Sequence, residues 1–237
     1  MKSKQKFYNE KAKYPKIKQR GFFGFLYHKL TRYYIDRKKV ALEILPENLD
    51  KVLDIGSDDG RLLFSLSERI SQRGLGIDVS PILVRKANEE AKRRGLGKKI
   101  LFKEFDVDDG LPFATNSFEV VTCLAVLEHV FDPIFVLKEL ARVTRPGGSL
   151  IVEVPNLAWF PRRLTLLLGR RPRTSWAPGW DGGHLQYFTL FDLRKLFKDN
   201  GFVVEKEICS GVFASFRNWW LSLLAADLIV KGRKIKQ

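Results

Sequence analysis

The feature that most constrains this chain is residues 51–60, K-V-L-D-I-G-S-D-D-G. Val52, Leu53 and Ile55 form a short apolar run that predicts a buried strand, and the glycines behind it predict a tight turn. Leu62, Leu63, Phe64 and Leu66 then recur at helical intervals, so a helix is expected over about 60–71. A strand, a glycine turn and a helix bring unpaired amides to a helix start, while Gly56 and Gly60 let the backbone approach a ligand closely. That local architecture suits a nucleotide. A second landmark agrees with it: residues 74–78, G-L-G-I-D, predict another short strand that ends in Asp78, 22 positions beyond Gly56. A βαβ unit delivers an acid to ribose hydroxyls at a spacing of about 20 residues.

The same alternation continues. Strands are expected near 51–55, 74–78, 99–105, 118–124, 149–154 and 202–209, and helices near 60–71, 81–95, 133–144 and 189–199. Such a pattern predicts an α/β fold with a mostly parallel sheet and helices on both faces. Gly147-Gly148 after Pro146 reads as a turn before a strand rather than a second phosphate loop. At 237 residues and 45% apolar content, one domain with appendages is expected. Cys123 and Cys209 are far apart with no C-x-x-C spacing, which points to a reducing cytoplasm and away from a disulfide framework. No cluster of ligands along the chain asks for a metal.

Taken in order, the segments resemble those of the class I S-adenosylmethionine-dependent methyltransferases. V-L-D-I-G-S-D-D-G is similar to that family's first motif, G-I-D-V-S to its second, and E-F-D-V-D-D-G-L-P-F-A-T-N-S-F-E-V-V to the stretch holding its adenine-side acid and fourth strand. L-E-H-V-F-D-P, R-P-G-G-S-L-I-V-E-V-P-N, G-H-L-Q-Y-F-T and D-N-G-F complete the likeness, which covers about 51–211. Residues 155–172 look most like the MetW-type and ubiquinone-biosynthesis-type branch. The resemblance implies a three-layer Rossmann-like fold with a seven-stranded sheet, the last strand falling near 211–216. It implies S-adenosyl-L-methionine as cofactor and transfer of its methyl group, with oxygen as the expected acceptor atom.

By the same resemblance Gly56, Ser57, Asp58 and Gly60 border the methionine portion, and Asp54 supports the turn. Asp78 takes the ribose hydroxyls with Val79 after it, Asp106 faces the adenine amino group, and Val107 lies beside the ring. Leu124 and Glu128 stand where the reactive methyl emerges. Asp106, with Asp108 and Asp109, also describes a solvated turn. Asp58 stands where the family has glycine, and Ser57 where it often has cysteine; aspartate tolerates a left-handed backbone, so the turn is expected to survive. Among the histidines, His184 is the candidate base or acceptor-positioning group, since imidazole accepts a proton near neutral pH; alternatively it ties its loop to the core. His129 is read as capping or orienting its loop, and His28 lies in the leading segment.

The flanks carry most of the charge, +15 in total. Residues 1–20 hold eight basic side chains against Glu10 alone and are expected to be a flexible tail. The start of the chain is too charged for a secretory signal. Residues 21–46 are expected to be helical, either covering the cofactor site and shaping an acceptor pocket or packing on the sheet. The catalytic domain is expected over 47–217, with 155–187, rich in arginine, tryptophan and proline, as an irregular excursion that builds the acceptor pocket from a strand's carboxyl end. Residues 218–237 are expected to be an apolar helix with a basic tail: an interfacial helix on anionic lipid, a dimer contact or a core helix. The acceptor is accordingly expected to be a small molecule, lipid or glycan, and the protein cytoplasmic or peripheral at a membrane. RNA methylation, suggested by the basic segments, and a non-catalytic cofactor-binding or membrane-associated assembly role, suggested by Asp58 and the apolar tail, are the competing readings.

Overall fold

The computed structural model describes residues 34–175, 177, 180–212 and 214–235. The expected basic tail over 1–20, residues 21–33 of the leading helical segment and His28 lie outside the described residues. Seven strands build one sheet: β1 (Leu49–Ile55), β2 (Ile70–Asp78), β3 (Ile100–Glu104), β4 (Phe118–Leu124), β5 (Thr144–Pro155), β6 (Phe202–Ile208) and β7 (Asp227–Lys234). Their order is β3-β2-β1-β4-β5-β7-β6. The strands from β3 to β5 pair in parallel, and β7 runs antiparallel to both of its neighbours. The mostly parallel three-layer α/β architecture expected from the alternation is therefore present.

Apolar strands buried on both faces need a helix layer on each side. On one face α1 (Arg37–Ile44), α2 (Arg61–Ser65) and α3 (Pro81–Arg93) pack Val40, Leu62, Leu63 and Ala87 against Val52, Ile70 and Ile100. On the other, α4 (Pro133–Val143) and α6 (Leu190–Asp199) pack Val136, Leu140, Leu193 and Phe197 against Val121, Leu150 and Val230. Between them in sequence, α5 (Phe160–Leu167) lies in the excursion after β5. Helix starts follow their caps: Ser80 precedes Pro81, Asp132 accepts from the amides of Ile134 and Phe135, and Thr189 forms a reciprocal box with Asp192. Because β1 sends its connections to opposite sides, through α2 to β2 and later to β4, a crevice opens at the carboxyl ends of β1 and β4.

Three expectations are corrected. The seventh strand is Asp227–Lys234 and not 211–216; Gly211 and Val212 instead pair with Tyr34 and Ile35 in a small two-stranded sheet. The helix expected over 218–237 is absent among the described residues. Two single turns, α7 (Ala214–Arg217) and α8 (Leu221–Leu224), flank a 3₁₀ turn, and the run Leu228-Ile229-Val230 enters the sheet between β5 and β6, where both faces are covered. A strand buried on both faces loses its period of two, which is why its sequence reads like a helix. The Gly147-Gly148 turn lies inside β5, where register shifts between Phe118 and Val120. A Cβ on Gly148 would stand 2.6 Å from the Glu119 carbonyl oxygen, so the glycine there answers a close backbone approach.

Gly232 separates the two accounts of the carboxyl-terminal segment. On an exposed helix, Gly232→Ala would stabilise the fold by about 1 kcal/mol. In β7 a Cβ there meets Phe197 Cδ1 at 2.4 Å, and Phe197 is fully buried. The substitution is expected to destabilise by about 1–3 kcal/mol, read as a lowered urea midpoint.

Candidate active site

The turn after β1 hangs from a single carbonyl. The amides of Gly56 and Ser57 both donate to Ile77 O, at 2.8 and 3.0 Å, so the turn is tied to the end of β2. The next amide, Asp58 N, donates to Asp78 Oδ2 at 3.0 Å, and Ser80 N donates to Asp78 Oδ1 at 2.9 Å. Gly56, Asp58 and Gly60 have φ of 68°, 52° and 77°. Aspartate thus takes the left-handed position where the resemblance has glycine. At Gly56 only glycine fits, since a Cβ would lie 2.4 Å from Val126 Cγ2. Ser57 Oγ is buried with no hydrogen-bond partner among the described residues, a polar atom in the turn suited to a polar ligand.

The carboxylates around this turn sit in unequal surroundings. Asp54 is buried, accepts a hydrogen bond of 2.6 Å from Thr122 Oγ1, and has its pKa pushed up to about 6, chiefly by burial. Asp78 is also raised, burial outweighing the two amides that favour its charged form. Asp59 is held ionised by Arg61 and by Lys38 of α1, at 2.7 and 3.5 Å. So α1 both packs on the sheet and reaches over the turn. Val79 is half-buried after β2, and Val107 is buried in a 3₁₀ turn that Asp106 caps by accepting from Asp108 N at 3.3 Å. The cleft of 720 Å³ lined by Lys51, Arg73, Lys103 and Phe113 shares no residue with this group.

Leu124 ends β4, Ala125 follows with φ of 57°, and a 3₁₀ turn, Leu127–His129, then delivers Glu128 and His129. Glu128 is 2% exposed, and burial pushes its pKa up to about 8. Its backbone carbonyl accepts from Leu185 N and Gln186 N at 2.7 and 3.1 Å, joining the excursion to this loop. The excursion approaches through a second left-handed turn, in which Asp181, Gly182 and Gly183 have φ of 49°, 67° and 84°. A Cβ on Gly182 would stand 2.2 Å from Ser175 Oγ. Gly183 O accepts from His129 Nδ1 at 3.0 Å, and the next residue is His184. Asp181, fully buried, accepts from Thr174 N, Ser175 N and Thr174 Oγ1, and its pKa is lowered by those hydrogen bonds in spite of burial. Thr174 Oγ1 in turn meets His184 Nδ1 at 2.7 Å. The rings of His129 and His184 pack edge to face with centroids 4.7 Å apart.

Beside them Glu153 of β5 is buried, accepts from Ser210 Oγ at 3.2 Å and pairs with Arg37 of α1 at 3.1 Å. Burial raises its pKa, as it does that of Asp227 at the start of β7.

The structure therefore gathers Asp54, Gly56, Ser57, Asp58, Gly60 and Asp78 in one constellation. It sets Leu124 at the mouth of β4 and places Glu128 against His184, Oε1 to Nε2 at 4.0 Å. The sequence reading missed Thr174, Asp181, Glu153 and Arg37. D-G-G-H was the one available signal, because two successive glycines before a histidine mark an abrupt backbone turn.

A doubly wound sheet with a glycine turn at β1 and an acid at the end of β2 defines a Rossmann-like fold that binds a nucleotide-bearing cofactor. A family model described as a methyltransferase domain matches residues 26–207, and the chain belongs to that methyltransferase family. It is 33% identical over 123 residues to a ubiquinone biosynthesis O-methyltransferase of Xanthomonas oryzae pv. oryzae, covering 49% of each chain. It is 28% identical over 145 residues to the chloroplastic tocopherol O-methyltransferase of Arabidopsis thaliana, covering 56% of this chain and 40% of that one. The chain spans about half the length of the curated relatives it matches. A solved SAM-dependent methyltransferase from Methanosarcina mazei shares the fold with a TM-score of 0.62 at 22% identity, over 84% of this chain and 98% of that one. S-adenosyl-L-methionine is the cofactor of this family, and the small residues, left-handed backbone and buried Ser57 Oγ at the turn fit its polar methionine end.

Asp54 gives a test by pH. Its folded pKa lies near 6 against an ordinary value of 3.8, so between these values the folded state binds more protons than the unfolded one. Its contribution to stability therefore falls as pH rises through that window, by roughly 3 kcal/mol at most. Asp54→Asn keeps an acceptor for Thr122 and is expected to flatten this part of the stability profile, measured by urea unfolding from pH 4 to pH 7.

Proposed function

We propose that the chain transfers the methyl group of S-adenosyl-L-methionine to an oxygen of a small apolar acceptor. The observation that carries this reading is the placement of two unlike walls around the carboxyl end of β4. One is the glycine turn with Asp78, which suits a nucleoside. The other is the buried group Glu128, His129 and His184. Asp78 keeps lone pairs on both oxygens beyond those used by Asp58 N and Ser80 N, which suits two ribose hydroxyls. Asp106 and Val107 stand on the adenine side, and Leu124 and Glu128 lie toward the methyl. The sulfonium and amino charges of the cofactor gain from the carboxylates there.

In the reaction the acceptor oxygen attacks the methyl carbon in line; the O–CH₃ bond forms, the S–CH₃ bond breaks, and the sulfonium leaves as the neutral thioether. The leaving group is already good, so alignment and exclusion of water supply most of the acceleration. An acceptor hydroxyl must also lose its proton, and the Glu128, His129 and His184 group is where its oxygen would be held. Oxygen agrees with the names of the ubiquinone and tocopherol relatives.

Calorimetric titration with S-adenosylhomocysteine is expected to show saturable binding that Asp78→Ala abolishes and His184→Ala retains. His184→Ala is expected to lower turnover of a phenolic acceptor at least about 100-fold. Turnover unchanged in that variant removes His184 from the acceptor side.

The apolar character of the acceptor is supported by an exposed apolar surface on the excursion and the carboxyl-terminal segment. Leu164, Leu167 and Leu168 at the end of α5 are exposed, as are Trp219 and Trp220, and Arg163 Nη2 donates to Ser222 O at 3.4 Å between the two segments. With Arg163 and Arg170 on the same segment, this patch suits an anionic lipid surface from which an apolar acceptor is drawn. The chain is expected to cosediment with phosphatidylglycerol vesicles and not with phosphatidylcholine vesicles. A Trp219→Ala, Trp220→Ala variant is expected to lose most of that binding; retention by the variant, or equal binding to both vesicles, counts against the patch.

A further inference from the structure

We infer that Glu128, His129 and His184 form a binding site for one divalent transition-metal cation. One ligand atom of each residue lies within 4.8 Å of those of the other two, and all three side chains are buried. Two imidazole nitrogens and a carboxylate oxygen are a donor set for zinc, cobalt(II) or iron(II), one that leaves coordination positions open.

The hydrogen bonds behind the two rings support this assignment. Gly183 O is a pure acceptor, so the His129 Nδ1 that meets it carries the proton, and the neutral ring has its lone pair on Nε2. The Thr174 hydroxyl has a single proton, which it gives to Asp181 Oδ2 at 2.7 Å. Its oxygen must therefore accept from His184 Nδ1, which leaves that ring's lone pair on Nε2 as well. A backbone carbonyl behind one histidine and a carboxylate acting through a hydroxyl behind the other are the outer partners that orient metal-binding imidazoles. Both arise from one left-handed turn over Asp181, Gly182 and Gly183, whose conformation is costly for Asp181.

Glu128 supplies an independent observation. Its Oε2 is buried with no hydrogen-bond partner among the described residues, while Oε1 stands 4.0 Å from His184 Nε2. A buried carboxyl oxygen without a hydrogen-bond partner is costly, and a cation that displaces the carboxyl proton satisfies it. Metal bonds of about 2.0–2.1 Å set tetrahedral ligand atoms roughly 3.4 Å apart, so closing the site takes side-chain rotation and no change of fold. What the cation would do rests on the reading of this wall as the acceptor side: it would hold the acceptor's oxygen and make its hydroxyl more acidic. That it binds rests on the three side chains alone.

The test is titration of the untagged full chain, first dialysed against a chelator, with Co²⁺ followed by visible absorption, and then with Zn²⁺ in competition. One equivalent of Co²⁺ is expected, with ligand-field bands that Zn²⁺ removes. Glu128→Gln and His184→Ala are each expected to weaken binding at least tenfold. Thr174→Val keeps all three ligands, removes the outer partner of His184, and is expected to weaken binding about 10- to 100-fold. Thermal melts and S-adenosylhomocysteine titration accompany each variant, and Glu128→Gln decides the matter if His184→Ala fails to fold. No stoichiometric Co²⁺ binding, or binding that Glu128→Gln leaves unchanged, overturns the site. Intact S-adenosylhomocysteine binding in a chain that ignores Co²⁺ overturns the cation site and leaves the methyl-transfer reading standing. Co²⁺ binding without S-adenosylhomocysteine binding does the reverse.

Discussion

The carboxyl end of the sheet depends on two amides sharing one acceptor, Gly56 N and Ser57 N on Ile77 O. Those bonds force the chain to reverse within a few residues, and the reversal requires left-handed backbone at Gly56, Asp58 and Gly60. Such backbone is nearly free for glycine and costs an aspartate energy that its surroundings must recover. Recovery is visible at Asp58, whose amide donates to the Asp78 carboxylate. One carboxylate thus fixes the turn from below while facing the crevice from above. The turn is rigid because Ile77 O and the Asp78 carboxylate, at the end of one strand, hold its amides together.

How far the sequence discloses this depends on the range of each interaction. The turn and Asp78 are legible because they belong to one βαβ unit, whose geometry turns sequence spacing into position. The helices α3, α4 and α6 are legible because cap and apolar stripe are both local. β7 was not, since Leu228, Ile229 and Val230 owe their state to β5 and β6, which are distant in sequence. Helix α2 stops at Ser65 and β2 begins at Ile70, earlier than the apolar pattern suggests, because pairing with β1 starts at Leu49. In the excursion, His184 is legible by its motif, but its dependence on Thr174 and Asp181 comes from a left-handed turn that no periodicity reports.

Charge has the same two-scale character. The chain carries +15 in total, yet this end of the sheet gathers acids that are buried, Asp54, Glu128 and Glu153, or half-buried, Asp78 and Asp227. Each is raised because burial penalises the ionised form more than its neighbours compensate it. Such an arrangement is poor for stability and good for receiving cations. A sulfonium cofactor carries one positive centre, which such an arrangement favours.

The two walls also divide the work by stiffness. The turn after β1 is held by backbone bonds to β2 and cannot change without moving the sheet. The histidine wall is held to the excursion by a handful of contacts, chiefly Glu128 O to the 185–186 amides and Gly183 O to His129. Residues 155–187 can therefore be remodelled while the turn after β1 stays as it is. Loss of the Asp181 turn would release both imidazoles at once, because the residue that fixes one ring and the residue that carries the other are adjacent in the chain. The histidine wall consequently depends on a strained turn outside the sheet, and the glycine turn on the sheet itself.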